Sequence, residues 1–376
     1  MHDVVIVGAG PVGSFLAAVL LDAGLDAIAV DARTGASASS RAIGIHPPSL
    51  PLLDAIGVAG PVLDNGVQIS RGVARANGVQ LAELRLTAPG SPPIVAIPQP
   101  ETQSLLDGAV HARRPGGIRR GIRVHSVRRT ADGFVLGGQE GSGDWEERAR
   151  FVVGADGASG SMRSLLHASA RRIRYRDRYL MGDFRDDTGD GSLAVLHLEQ
   201  GGIVESFPLP GGVRRWVVHE GVARLIDTPA ALAGLIAGRT GVWPDPGTAS
   251  MFSRFVPHRA IVSTAVGDRL ALIGDAAHEV SPIGGQGMNL GWADAAELGR
   301  ILPGLLTGRG DSRQLEAFGR RRLALARRAA RQAELNMLLG RPAPGALQPG
   351  RALLAKSVSR QPFGGHVARV FTMATL

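Results

Sequence analysis

Four consecutive apolar residues, Val4-Val5-Ile6-Val7, run straight into Gly8-x-Gly10-x-x-Gly13. A short all-apolar run reads as a strand buried on both faces. Each glycine then has its own task. The first makes a tight turn, the second lets backbone approach a pyrophosphate, and the third packs helix on strand. Pro11 suits the first helical turn, where its missing N–H costs nothing. Gly24 is a natural helix end. Ala27–Val30 reads as a second parallel strand, closed by Asp31 at 21 residues after Gly10. An acid there accepts a ribose hydroxyl. The pattern predicts a βαβ dinucleotide site and does not choose between NAD and FAD. Val4–Leu21 carries no charge and has the length of a membrane helix. Its interior Gly8, Gly10, Pro11, Gly13 and Ser14 break it into strand, turn and helix, and no basic leader precedes it.

Two further motifs follow. The apolar run Phe151-Val152-Val153 leads into Gly154-Ala155-Asp156-Gly157, with Arg163 seven residues beyond Asp156. Leu270–Ile273 leads into Gly274-Asp275-Ala276-Ala277-His278, then Pro282, then Gly284-Gly285-Gln286-Gly287-Met288-Asn289, then Asp294-Ala295. An Asp at a strand end can bind polyol hydroxyls. A glycine loop feeding a helix N-terminus can stabilise negative charge on a bound ring.

Between the motifs the pattern changes. Helix is expected over 99–114, from 287 onward, and over 313–338. Strands are expected at 122–129 and 133–138. From Tyr179 to Arg224 residues alternate, with Leu193, Val195 and His197 on one run and Arg215, Val217 and His219 on another. Gly201-Gly202 and Gly211-Gly212 mark hairpins. This predicts an antiparallel sheet inserted into an α/β domain.

Composition excludes other classes. There is no cysteine, so disulfide frameworks, thiolate metal sites and cysteine nucleophiles are absent. The net charge of +9 comes almost wholly from arginine, Lys356 being the only lysine. Aromatics make up 4%. That is thin for the stacking surfaces nucleic-acid binders use. Ten histidines show no metal-ligand spacing, so no metal site is expected.

The three motifs, in this order, resemble those of the flavoprotein aromatic hydroxylases, the single-component FAD monooxygenases of the para-hydroxybenzoate hydroxylase fold. The resemblance spans most of residues 1–340. It implies a Rossmann-like FAD-binding domain over 1–70, 99–172 and 263–340. It implies an inserted antiparallel substrate sheet over 71–98 and 173–262, and a C-terminal helical tail over 341–376. It implies the short form, without the thioredoxin-like domain of larger members. The chain is then expected to be a cytoplasmic monomer or homodimer with no nucleic-acid partner and no membrane span.

Residue by residue, the resemblance gives Gly8, Gly10, Pro11, Val12, Gly13, Asp31, Ala32 and Arg33 to the ADP moiety. Arg41 stands beside the flavin, and Gln99 and Val124 touch FAD. Asp156 belongs to the second motif. Gly274 and Asp275 hold the ribityl or pyrophosphate region. Pro282 lies at the flavin's reactive edge, and Gly285, Gln286, Gly287, Met288 and Asn289 present backbone N–H groups to the ring. The sequence departs from the family at Asp31 and Gln103, where glutamate is more usual, and in Asp156-Gly-Ala-Ser-Gly160, which has glycine where serine is common.

The implied activity uses FAD, with NAD(P)H and O2 as co-substrates, to hydroxylate an aromatic or phenolic small molecule through a flavin C4a-hydroperoxide. A polyketide-type compound fits that class. The cofactor carries the hard chemistry, so no catalytic side chain is fixed. Pocket candidates are His46, His197, Phe207, Trp216, His219 and Pro282. The main alternative is a reductase of the geranylgeranyl-reductase type on the same fold. Flavin-dependent halogenases share the first motif, but their W-x-W-x-I-P segment is absent here.

Overall fold

The structure is a computed structural model. It describes residues 1–35, 42–87, 91–221 and 226–347, and beyond them 350, 353, 357, 365, 368, 369 and 371–373.

The chain opens with β1 (His2–Val7), α1 (Pro11–Asp22) and β2 (Ala27–Asp31). β1 and β2 are parallel, with Val4 opposite Ala27 and Val7 opposite Val30. Gly24 follows α1 at φ +77°, the left-handed position at which glycine replaces other residues. Gly13 is required by packing. A Cβ there would lie 1.8 Å from the Gly8 carbonyl oxygen.

The chain then leaves this sheet. β3 (Arg71–Ala76) and β4 (Val79–Arg85) form a hairpin that belongs to a second sheet. Short strands at Gly44–Ile45 and Val67–Ile69 both pair with Ile94–Ala96. α2 (Gln99–Arg113) returns to the first sheet. There β5 (Ile118–Arg120) adds parallel to β2. β6 (Ile122–Arg129), β7 (Phe134–Glu140) and β8 (Gly143–Gly154) follow as an antiparallel meander. The far end of β8 lies parallel to β1.

A second excursion builds β9 (Tyr179–Arg185), β10 (Ala194–His197), β11 (Val204–Leu209) and β12 (Val213–His219). α3 (Pro229–Thr240) and β13 (Met251–Phe255) complete it. The second sheet runs β13-β9-β12-β11-β10-β3-β4. It is antiparallel as expected, save for one pair. β10 pairs with β3 in parallel, Val195 opposite Val73. These strands come from separate excursions, so no tight hairpin imposes antiparallel pairing.

β14 (Leu270–Leu272) joins the first sheet parallel to β8. α4 (Gly287–Leu306) and α5 (Ser312–Gly340) follow. Ile6 and Phe151 of the sheet, Leu16 of α1, Leu106 of α2 and Leu298 of α4 form one core. No helix among the described residues is long and apolar enough to cross a membrane.

Candidate active site

One cleft of about 1160 Å³ is lined by parts of all three motifs and by the second sheet. Its nucleotide end is built on the β1–α1 turn. Gly8 stands at φ +107°, and a Cβ on it would meet the Ala155 carbonyl oxygen at 2.3 Å. The first motif is therefore packed directly on the second. At Gly10 the nearest atom to such a Cβ is Arg33 Nη2, at 3.7 Å. That space is open, and α1 begins there with no side-chain cap. Gly10, Pro11 and Val12 line the cleft there, and the first N–H groups of a helix have no partners within it.

Asp31 accepts hydrogen bonds from Ala9 N at 2.8 Å and from Arg33 N and Nε at 2.9 Å each. Arg33 Nη2 adds a fourth at 2.8 Å. Burial alone would raise the Asp31 carboxyl, but these donors outweigh it and hold it below its ordinary value. A ribose hydroxyl at Asp31 must share the carboxylate with Arg33.

The α2 side of the loop is stitched by Gln103. Its Nε2 donates to Ala9 O at 3.1 Å, Ser14 Oγ at 3.0 Å and Asp107 Oδ1 at 2.6 Å. An ionised glutamate could make none of these donations. That accounts physically for glutamine at this position.

The second motif also explains its own departure. Asp156 Oδ2 accepts from Met162 N at 2.8 Å, while Oδ1 is buried with no partner among the described residues. Burial raises the carboxyl. A Cβ on Gly160 would lie 2.0 Å from Asp156 Cγ, so serine does not fit. Arg163 ties the second motif to the third. Its Nε donates to Ala276 O at 3.0 Å and its Nη2 to Asp275 O at 2.7 Å.

The third motif is anchored from behind. Asp294 Oδ2 accepts from Gly274 N at 2.9 Å and from His278 Nε2 at 2.6 Å. Asp294 Oδ1 accepts from Arg322 Nε at 2.5 Å. Burial would keep His278 neutral, but Asp294 outweighs it and raises its pKa. Arg322 is thus a buried structural cation, while Arg320 and Arg321 beside it in the chain are exposed. Asn289 ties the loop forward. Its Oδ1 accepts from His46 N at 2.9 Å and Ser49 Oγ at 2.8 Å. Its Nδ2 donates to Gly44 O and Gly285 O, both at 3.0 Å.

Of the expected cofactor residues, Gly8, Gly10, Pro11, Val12, Asp31, Ala32, Arg33, Gln99, Val124, Asp156, Asp275, Pro282, Gly285, Gly287 and Met288 line the cleft. Gly13, Gly274, Gln286 and Asn289 lie behind it. Gln286 is buried with Oε1 unpartnered among the described residues. Arg41 lies outside the described residues. The open room at Gly10 and the orphaned buried oxygen of Asp156, which lines the cleft, fit a bound dinucleotide. The seven arginines Arg113, Arg114, Arg119, Arg120, Arg123, Arg128 and Arg129, close together in the sequence, do not converge on the cleft. Arg113, Arg114, Arg119, Arg120 and Arg129 pair with Asp22, Asp26, Glu147, Asp107 and Asp268. Arg123 alone of the seven lines the cleft.

The substrate end is the face of the second sheet that carries Met181, Leu196, Glu205, Phe207, Arg215 and Val217. Strand alternation sends their neighbours the other way. Leu180, Phe184, Val204, Trp216 and Val218 pack against Leu232 and Ile236 of α3. His197 stacks on Trp216 at 6.2 Å on that rear face. Two pocket candidates, His197 and Trp216, therefore face away from the cleft. Both His197 ring nitrogens are unpartnered among the described residues, and burial lowers the ring pKa to about 4.

His219 shares the front face by parity but is sealed at its end. Gly221 N donates to its Nδ1 at 3.0 Å, so Nε2 carries the proton and donates to Asp177 at 3.1 Å. Arg341 covers the same carboxylate at 2.8 and 2.9 Å. His46, Phe207 and Pro282 do line the cleft, as does Phe371 near the chain's end. Burial lowers His46 to about 4. It is neutral at ordinary pH.

Two features escaped the sequence reading. Arg215 forms a bidentate pair with Asp183, both contacts at 2.7 Å. Glu205 sits on the cleft face of β11 with 8% exposure, and burial pushes its carboxyl up to about 7. The available signal was an acid inside the buried strand Val204–Leu209.

The family model described as FAD binding domain matches residues 1–223 and 227–333. The chain belongs to that family. It is 31% identical over 368 residues to a rifampicin monooxygenase of Streptomyces venezuelae, covering 95% of this chain and 75% of that protein. It is 29% identical over 329 residues to a 3-(3-hydroxy-phenyl)propionate/3-hydroxycinnamic acid hydroxylase of Mycolicibacterium gilvum. That match covers 84% of this chain and only 56% of the relative. A p-nitrophenol 4-monooxygenase of Pseudomonas putida has the same fold, with a TM-score of 0.88 at 20% identity, covering 99% and 97% of the two chains.

Proposed function

We propose that this chain is an FAD-dependent monooxygenase that uses NAD(P)H and O2 to hydroxylate an aromatic or phenolic small molecule, with polyketide-type compounds in range. The continuity of one cleft supports this reading above all. It joins the motif residues suited to FAD to an apolar chamber on the second sheet. The names of the relatives favour oxygenation over the reductase alternative. FAD, when bound, supplies the passage of electrons from NAD(P)H and the activation of O2.

The chain's own residues then have definite tasks. The open turn at Gly10 and the start of α1 hold the pyrophosphate, Asp31 a ribose, and Asp156 and Asp275 the connecting hydroxyls. Pro282 to Met288 set the flavin edge. His46, uncharged at that edge, adds no cation beside the ring. Met181, Leu196, Phe207 and Val217 exclude water and seat an aromatic ring.

The test is isotopic. The flavin-loaded protein is supplied with NADPH, a panel of phenols and heavy-isotope O2, and products are analysed by mass spectrometry. Incorporation of one labelled oxygen atom per product supports the proposal. Substrate reduction without oxygen incorporation would transfer it to the reductase reading.

A further inference from the structure

Glu205 is the one feature of the chamber that its apolar architecture does not explain. Across the second sheet it stands in a row of hydrophobic side chains. Leu196 is opposite it on β10, Val217 on β12, and Met181 lies beyond Val217 on β9. With Ile203, Phe255, Ile283 and Met337 these residues form one apolar cluster around the acid. Glu205 faces the cleft, is 8% exposed, and makes no hydrogen bond or ion pair with any described residue.

The neighbouring charges are already committed. Arg215, on the diagonal from Glu205, is held by Asp183. His219 and Arg341 are held by Asp177. Tyr179 is buried and neutral. The cleft is also lined by His46, His258, Asp275 and Glu279, and at its nucleotide end by Asp31, Arg33, Arg123 and Asp156. Burying an acid with no partner is costly, and a core position would be better filled by leucine. An acceptor held out of water inside a substrate chamber is instead satisfied by what enters it.

We propose that Glu205 is a specificity-determining residue, accepting a hydrogen bond from a hydroxyl of the substrate and making the chamber one for neutral hydroxyaromatics rather than aryl carboxylates. This rests on the monooxygenase reading of the same cleft. On the sheet face that carries Glu205, the one cation among the described residues, Arg215, is already neutralised by Asp183. Above about pH 7, where Glu205 is ionised, the chamber also sets Glu205 against a substrate carboxylate as a like charge, which is repulsive at close quarters. A neutral phenol meets an apolar bed with one acceptor.

The experiment uses the FAD-loaded full chain and a matched pair of probes, 2-naphthol and 6-hydroxy-2-naphthoate. Dissociation constants are read from perturbation of the flavin absorbance. The wild type is expected to bind 2-naphthol about tenfold more tightly than the carboxylate. Glu205→Gln, close in shape, is expected to reduce that ratio to within about twofold, chiefly by tightening the naphthoate. Its melting temperature should hold or rise, since an uncompensated buried acid is removed; a merely structural glutamate would give a fall. Glu205→Met serves as the second variant and should weaken 2-naphthol while keeping the fold. A wild type that prefers the naphthoate, binds neither probe, or shows the same ratio as Glu205→Gln overturns the proposal. Failure of the protein to hold flavin would instead overturn the underlying monooxygenase reading.

Discussion

Asp294→Ala should weaken the whole third motif. The carboxylate serves three donors from three places: Gly274 N at the strand end, His278 Nε2, and Arg322 Nε on α5. Asp294 and His278 are 1% exposed and Arg322 8%, so solvent cannot replace the lost acceptor. Breaking a buried charged pair by removing one partner costs about 3–5 kcal/mol. Unfolding entropy of roughly 2.1 cal/mol/K per residue over 376 residues gives about 0.8 kcal/mol/K. A loss of about 4 kcal/mol then lowers the melting temperature by about 5 °C. Differential scanning fluorimetry at neutral pH reads this directly. The double variant Asp294→Ala/Arg322→Met removes the stranded cation as well and should recover part of the loss. The pH dependence has a definite sign. Asp294 raises the folded pKa of His278, so that stabilisation is complete below the unfolded value of 6.5 and is lost as pH rises through the folded one. Burial would raise Asp294, but His278 and Arg322 outweigh it and depress it; its share is present above 3.8 and lost on acidification. A melting shift under about 1 °C for Asp294→Ala, with the cleft intact by flavin content, would refute the anchoring role.

Three further outcomes follow from the geometry. His197→Phe should raise stability by about 1–2 kcal/mol, because it removes two unpartnered buried nitrogens from the Trp216 stack, and should leave turnover unchanged; a selective loss of turnover would put His197 back in the cleft. With His46 and His197 both lowered to about 4, thermal stability should fall as pH drops from 6.5 toward 4, since the unfolded state takes up protons the folded state refuses. Each contributes about 3 kcal/mol over that span, and His197→Phe should remove one share from a melting-temperature profile. Gly10→Ala should fold normally yet lose flavin, its Cβ having nothing nearer than 3.7 Å but standing where a pyrophosphate approaches; Gly13→Ala should fail to fold, its Cβ lying 1.8 Å from a backbone oxygen. Circular dichroism and flavin absorbance after gel filtration separate the two.

What the sequence revealed depended on whether a constraint was local. The three glycine motifs were legible because backbone contact fixes them. Gly8 must meet Ala155 and Gly13 must meet Gly8, so the residue type records the geometry. Strand alternation was legible too, and it correctly separated the His197 run from the Arg215 run. It could not say which run faced the cleft, because both faces of this sheet are buried. The rear face is decided by α3, whose own signals were present and went unread. Thr228 caps it through Ala231 N, Pro229 opens it, and Gly241 ends it at φ +76°. Placing that helix assigns Trp216 to the rear, and parity then carries Glu205 and Phe207 to the front together. Arg322 was hidden for a different reason. Its burial follows from Asp294, 28 residues away on another helix, and nothing within Arg320-Arg321-Arg322 distinguishes it from its neighbours. The chemistry that distinguishes this chamber thus sits where local pattern is weakest, on a sheet face selected by a helix elsewhere in the chain.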